Sequence, residues 1–160
     1  HGSWYYSIDE LGYNYRLTDI QSALGNSQLK KLNKFISDRR SLAKIYNNEF
    51  KEISELTIPK SRENCRHSYH LYPLLIDFKR LKISKKNLFL RMQKKEIYMQ
   101  VHYVPVHYHQ YYKKKFNLKK GDFPVSEDFY DKEVSLPIYP SLKKNQIFKV
   151  INNIKNILSI

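Results

Sequence analysis

The chain has a single cysteine, Cys65, a single tryptophan, Trp4, and only four glycines in 160 residues. One cysteine excludes an intrachain disulfide and gives no reason to place the protein in an oxidising compartment. With glycine so scarce, no GxGxxG, GxxxxGK[ST] or GxSxG run occurs. Dinucleotide-fold, phosphate-loop and nucleophile-elbow chemistries therefore find no support. Long apolar runs are missing too: residues 71–76 form the longest, contain Pro73, and fall far short of the roughly 20 residues that cross a bilayer. No signal peptide is evident, and the chain reads as soluble and cytoplasmic. Neither cysteine pairs nor an HExxH helix accompany the close pairs His67/His70 and His107/His109, so no metal centre is expected. Acidic residues are few, 15 against 29 basic, leaving a net charge of +14.

What remains is an ordinary globular composition, 41% hydrophobic and unusually rich in tyrosine, with 14 copies. A chain of this length buries a core without staples, and one domain is the default. The basic surplus invites a nucleic-acid reading, because positive charge is the first requirement for binding a phosphate backbone. The lysines are diffuse, however, and no base-reading or Gly-rich RNA-binding signature accompanies them. A solvated lysine surface accounts for the same charge. The chain opens on His1 rather than Met, from which a preceding segment is expected.

The richest local signal lies in residues 11–25, LGYNYRLTDIQSALG. Thr18 followed by Gln21 is a capping-box pattern, and Asp19 falls in the first turn, where the helix dipole favours a carboxylate. In an extended approach to that helix, Asn14 and Arg16 point to one side and Tyr13 and Tyr15 to the other. The Asn14 amide can donate to a phosphate oxygen without a charge to desolvate, or can simply turn the loop before Thr18. The Arg16 guanidinium suits a phosphate or carboxylate, or an ordinary surface ion pair.

Apolar spacing predicts one long helix through residues 18–55, carrying Ile20, Ala23, Leu24, Leu32, Phe35, Ile36, Leu42, Ala43, Tyr46, Phe50 and Ile53, with a bend or break near 25–33. Residues 68–77 alternate as a strand, with Pro73 arguing for an edge or a bulge. A short amphipathic helix follows from Ser84 to about Lys95. Residues 98–103 alternate again, placing Tyr98, Gln100 and His102 on one face and Met99, Val101 and Tyr103 on the other. On that pattern His102 and Tyr103 face opposite ways unless the strand ends there. Residues 105–121 read as a loop or short irregular helix over a site, 124–132 as a helix, and 136–140 as extended because residues before proline avoid the helical region. Ile147, Val150, Ile151, Ile154, Ile157 and Leu158 mark a final amphipathic helix. The order suits an α+β fold, a small and mainly antiparallel sheet with covering helices.

Residues 12–25 closely resemble the GYNYRLTDIQAALG segment of the DegT/DnrJ/EryC1/StrS family of pyridoxal-phosphate-dependent sugar-nucleotide aminotransferases. QLKKL at 28–32, RHSYHLY at 66–72, QVHYVPVH at 100–107 and GDFPVSE at 121–127 recur in the same order. VHYVPVH and the run at 119–142 look most like the branch that aminates a UDP-linked 4-keto-6-deoxy-N-acetylaltrosamine on the route to pseudaminic acid. The resemblance implies the C-terminal small domain of a fold-type-I transferase: an approach loop at 1–17, a long interdomain helix region at 18–55 and an α+β domain at 56–160, with the cofactor-holding domain upstream. It implies a homodimer in which Asn14 reaches the pyridoxal 5'-phosphate of the other subunit. Arg16, His102, Tyr103 and His107 would meet the UDP-linked keto sugar or the glutamate donor. No catalytic residue is implied within the chain, because the Schiff-base lysine belongs to a Lys-Gly-Glu-Gly-Gly type of motif that is absent. Taken alone, the chain is not expected to transaminate. It departs from the family at Glu96, where glycine is usual, and at His109 and Gln110, where Gln and Pro are typical. Two other classes compete: an inactive dimerising fragment that exposes apolar surface around the first helix, and a basic module that binds nucleic acid.

Overall fold

The structure, a computed structural model, describes residues 2–160. The chain divides into two compact units, one ending at Asn33 and the other spanning Lys34–Ile160. Helix α1, Asp19–Phe50, starts in the first and ends in the second. Its start is the expected capping box: the Thr18 N–H donates to Gln21 Oε1 at 2.9 Å and the Gln21 N–H to Thr18 Oγ1 at 3.3 Å. The break anticipated near 25–33 does not occur. Gly25 meets nothing within 4 Å of where a Cβ would stand, so no packing turns the chain there. A lone helical glycine costs only about 1 kcal/mol, which a helix of 32 residues absorbs.

The apolar stripe of α1 is buried only in its second half, at Leu42, Ala43, Tyr46 and Phe50. Tyr46 is fully buried, lies 4.7 Å from the Tyr72 ring, and donates its hydroxyl to the Pro137 carbonyl at 2.9 Å. Tyr72 in turn donates to Asn47 Oδ1 at 2.7 Å. Burial raises both phenols well above the usual tyrosine range, so both hydroxyls remain donors. Ile20, Leu24 and Leu32, at the other end of the predicted stripe, are exposed.

Strands β1, Leu56–Thr57, β2, Tyr72–Ile76, and β3, Glu133–Leu136, form an antiparallel sheet in the order β1-β2-β3. Tyr72, Leu74 and Ile76 face inward, as their alternation predicts. Pro73 lies in the central strand, contrary to the edge position expected of it. The hydrogen-bond pattern removes the conflict. Pro73 stands opposite Ser135, whose own N–H and C=O are both bonded to Gln100, so this pair asks nothing of the proline nitrogen. On the other flank β1 reaches only Leu75 and Ile76. A proline therefore fits a strand that is central in order yet open at that residue.

Helix α2, Lys85–Gln93, is capped by Ser84, whose Oγ accepts the Asn87 N–H, and buries Leu88 and Met92. Its end is a Schellman turn: Ile97 N–H bonds Met92 C=O, Glu96 N–H bonds Gln93 C=O, and Glu96 takes φ +60°. The strand expected over 98–103 reduces to a bridge between Gln100 and Ser135, although Ile97 and Met99 are buried and Tyr98 and Gln100 exposed, as alternation requires. Residues 105–121 hold a 3-10 turn, Val106–Tyr108, and helix α3, Gln110–Phe116. Helix α4 is Pro124–Lys132, and α5, Lys144–Leu158, buries all six predicted apolar residues. Strand β3, which spacing did not foresee, occupies Glu133–Leu136, and the non-helical stretch expected over 136–140 follows from its last residue. The fold is α+β, a three-stranded antiparallel sheet with covering helices around one core.

Candidate functional site

In the first unit Asn14 and Arg16 are both exposed. The Arg16 backbone N–H donates to Asn14 Oδ1 at 3.1 Å. This Asx turn uses the side-chain carbonyl within the loop and leaves the amide N–H2 and the guanidinium as outward donors. Tyr13 and Tyr15 are exposed as well, with ring centroids 5.9 Å apart. Nearly every residue of this unit is exposed, including Trp4 at 82% and Ile20 at 83%, which is the bared apolar surface anticipated around the first helix. An isolated monomer gains no hydrophobic stabilisation from these side chains.

In the second unit His102 is half-buried and Tyr103 exposed. Their rings meet edge to face at 4.6 Å. The alternation that set them on opposite faces fails because regular pairing stops at Gln100. His102 is held twice: its backbone N–H donates to Glu133 Oε2 at 3.0 Å, and its Nδ1 lies 2.8 Å from Ser135 Oγ. Glu133 is fully buried, and Ser135 donates to its Oε1 at 2.5 Å. The Lys85 ammonium also feels this carboxylate. Burial lowers Lys85 below the ordinary lysine value, while Glu133 and Asp131 act in the opposite direction. Lys85 Nζ donates to the Tyr130 carbonyl and sits 4.8 Å from the Tyr130 ring centroid.

His107 lies apart from that pair and is only 5% exposed. Its Nε2 is 2.9 Å from Glu127 Oε1, and its ring packs on Phe123 at 4.8 Å. Glu127 also takes the Gly121 N–H at 2.8 and 3.0 Å. Burial alone raises the Glu127 carboxyl, but hydrogen bonds from Gly121, His107, Phe123 and Tyr108 outweigh it and hold it below the usual carboxylate value. Burial and the same carboxylate raise the Tyr108 phenol. Here His107 ties the start of the 105–121 segment to α4 through Glu127. Sequence reasoning singled out neither Glu127 nor the Glu133/Ser135 pair. The available signal was Glu and Ser at i and i+2 on one strand face just before Leu136-Pro137. Among the described residues no group of three or more His, Cys, Asp or Glu stands close enough to hold a metal ion.

A small antiparallel sheet wrapped by helices is a fold that the chain shares with solved aminotransferases. The model of the DegT/DnrJ/EryC1/StrS aminotransferase family matches residues 1–155, and the chain belongs to that family. It is 45% identical over 158 residues to the uncharacterized protein MJ1066 of Methanocaldococcus jannaschii, covering 99% of this chain and 41% of that one. It is 33% identical to the UDP-4-amino-4,6-dideoxy-N-acetyl-beta-L-altrosamine transaminase of Campylobacter jejuni, covering 95% of this chain and 42% of that one. Among solved structures it superposes on Helicobacter pylori PseC, described as an aminotransferase of pseudoaminic acid biosynthesis, with a TM-score of 0.87 and 31% identity over 99% of this chain and 42% of that one. The chain thus spans about two fifths of the length of the relatives it matches.

The family implies pyridoxal phosphate. The donors on this chain suit one end of that cofactor. The Asn14 amide, exposed and left as a donor by the Asx turn, suits its phosphate, and the Lys-Gly-Glu-Gly-Gly type of run that would hold its aldehyde is absent.

Proposed function

We propose that this chain is the C-terminal part of a pyridoxal-phosphate-dependent aminotransferase that moves an amino group from glutamate to the 4-keto carbon of a UDP-linked 6-deoxy sugar, acting as a cytoplasmic homodimer. The observation that carries the reading is the Asn14/Arg16 donor pair, fixed by its Asx turn ahead of a capped helix, in a chain that matches the family over residues 1–155. The names of the Campylobacter and Helicobacter relatives support the sugar-nucleotide class.

When bound, the cofactor supplies the electron sink that lets an amino group pass between carbon atoms. The residues of this chain bind and orient. Asn14 Nδ2 donates to the phosphate of a cofactor held by the partner subunit. The Arg16 fork takes a second anion, the substrate diphosphate or the donor carboxylate. His102 and Tyr103 present an imidazole and a phenol to the nucleotide sugar. His107 supports them from inside by fixing the segment that follows. The chain provides no lysine in the context needed to carry the proton in the reaction.

Asn14→Ala in the protein that carries this chain tests the reading. A hydrogen bond to a charged group is worth about 1.5–3 kcal/mol, so the variant should bind pyridoxal phosphate roughly 10- to 100-fold more weakly by absorbance titration. Unchanged cofactor affinity refutes the role of Asn14. Retention on a polyanion that falls steeply with salt, with no amination of any UDP-keto sugar, favours the basic-module reading instead.

A further inference from the structure

The contacts around Glu133 fix more than the position of His102. A hydroxyl carries one hydrogen, and an ionised carboxylate only accepts, so the Ser135 hydrogen belongs to Glu133 Oε1 at 2.5 Å. Ser135 Oγ then meets His102 Nδ1, at 2.8 Å, as an acceptor. Nδ1 must therefore carry a hydrogen. Both oxygens of the fully buried Glu133 side chain face donors, Oε1 the Ser135 hydroxyl and Oε2 the His102 backbone N–H, as befits a group that accepts at each oxygen.

We propose that Glu133 and Ser135 are positioning residues that lock neutral His102 as the Nδ1–H tautomer, so that its Nε2 meets the substrate as a hydrogen-bond acceptor for a sugar hydroxyl. This rests on the reading that His102 faces the nucleotide sugar. Nε2 makes no hydrogen bond among the described residues. An unprotonated nitrogen finds a partner in a hydroxyl, which brings a hydrogen, and none in a phosphate oxygen at neutral pH, which brings only lone pairs. The tautomer thereby directs His102 to the sugar of a nucleotide sugar rather than to its diphosphate. Tyr103, edge to face against the imidazole at 4.6 Å, restricts the ring from the side. A second-neighbour group that sets which imidazole nitrogen carries the proton is a familiar means of tuning histidine.

The test is long-range proton–nitrogen correlation NMR on the histidine-labelled protein that carries this chain, with the imidazole neutral. Wild type should show the Nδ1–H pattern at His102. Ser135→Ala should lose it and revert toward the Nε2–H form that free imidazole prefers. Ser135→Thr, which keeps the hydroxyl, should retain it. An Nε2–H pattern in wild type, or no change in Ser135→Ala beside an intact fold, overturns the lock. UDP-N-acetylglucosamine and UDP are then titrated until backbone amide shifts saturate. The Nε2 resonance should move with the sugar nucleotide and stay put with UDP. Movement with UDP alone overturns the assignment of Nε2 to a hydroxyl of the sugar that the diphosphate carries. Binding of both probes with no Nε2 response refutes the placement of His102 at the substrate while leaving the lock standing, and failure of both to bind refutes the nucleotide-sugar reading itself.

Discussion

Glu96 occupies the one backbone position where this chain departs from a glycine expected of its family and where the structure shows why glycine is favoured. It is the left-handed residue of the Schellman turn that ends α2, at φ +60°, with Ile97 N–H bonded to Met92 C=O at 3.1 Å and Glu96 N–H to Gln93 C=O at 2.9 Å. Ile97 and Met92 are both buried, so the turn is held by apolar packing as well as by hydrogen bonds. An L-residue held there costs about 1–2 kcal/mol. Glycine removes that cost but loses about 0.4–1 kcal/mol through the greater freedom of its unfolded chain. The difference leaves Glu96→Gly more stable by about 0.5–1 kcal/mol. Removing a carboxylate from a helix C-terminus adds a few tenths, on the order of 0.3 kcal/mol. For a chain of this size the sum corresponds to a rise in Tm of roughly 2–4 °C. Glu96→Ala separates the two contributions, since it removes the charge and keeps the strained backbone, and it should gain only the smaller share. Urea unfolding of the three proteins measures both differences. A Glu96→Gly midpoint equal to that of Glu96→Ala would falsify the backbone argument.

Tyr46→Phe keeps the buried ring and orphans the Pro137 carbonyl, so it should cost about 1–2 kcal/mol in urea unfolding, against about 3–5 kcal/mol for Tyr46→Ala, which also opens a cavity. Equal losses would show that the hydroxyl does not anchor this segment. Burial raises the Tyr46 and Tyr72 phenols above their unfolded value of 10.0, so their contribution is complete below that pH and is lost as pH climbs above it. Alkaline unfolding should therefore begin near pH 10 and be blunted in Tyr46→Phe; an identical profile contradicts the assignment. Glu127 is depressed below its ordinary 4.5, so its contribution is present above that value and fades as pH falls further. Glu127→Gln should remove this acid dependence and speed hydrogen exchange at the Gly121 amide; unchanged exchange would show that Glu127 does not hold the loop. Arg16→Ala lies on an exposed loop and should leave unfolding unchanged within about 0.5 kcal/mol while raising KM for the sugar nucleotide, measured by steady-state amination. A loss of stability instead would make Arg16 structural.

The elements that sequence made legible are those whose pattern is local. The Thr18/Gln21 capping box, the inward alternation of Tyr72, Leu74 and Ile76, the Pro124 start of α4 and the six-residue apolar stripe of α5 all appear where residue spacing put them. What was misread depends on partners distant in the chain. Pro73 sits in a central strand because Gln100 satisfies Ser135 from the other side, a fact no window around residue 73 contains. Strand β3 went unforeseen because it opens on Glu133, a residue type that favours the surface, and its burial rests on the donors of His102 and Ser135. In the same way the motif drew attention to His102, Tyr103 and His107 as one cluster, whereas the structure pairs His102 with Tyr103 and turns His107 inward to Glu127. Asn14 shows that one residue can satisfy both readings, since its carbonyl turns the loop while its amide stays free to donate.

The most direct test of the account is amination itself. The protein that carries this chain is supplied with pyridoxal phosphate, glutamate and a UDP-linked 4-keto-6-deoxy-N-acetyl sugar, and the product is followed by mass spectrometry in wild type and His102→Ala. Wild type should convert ketone to amine, and the variant should show a raised KM. Loaded cofactor with no amine formed from any UDP-keto sugar, or wild-type kinetics in His102→Ala, would contradict it.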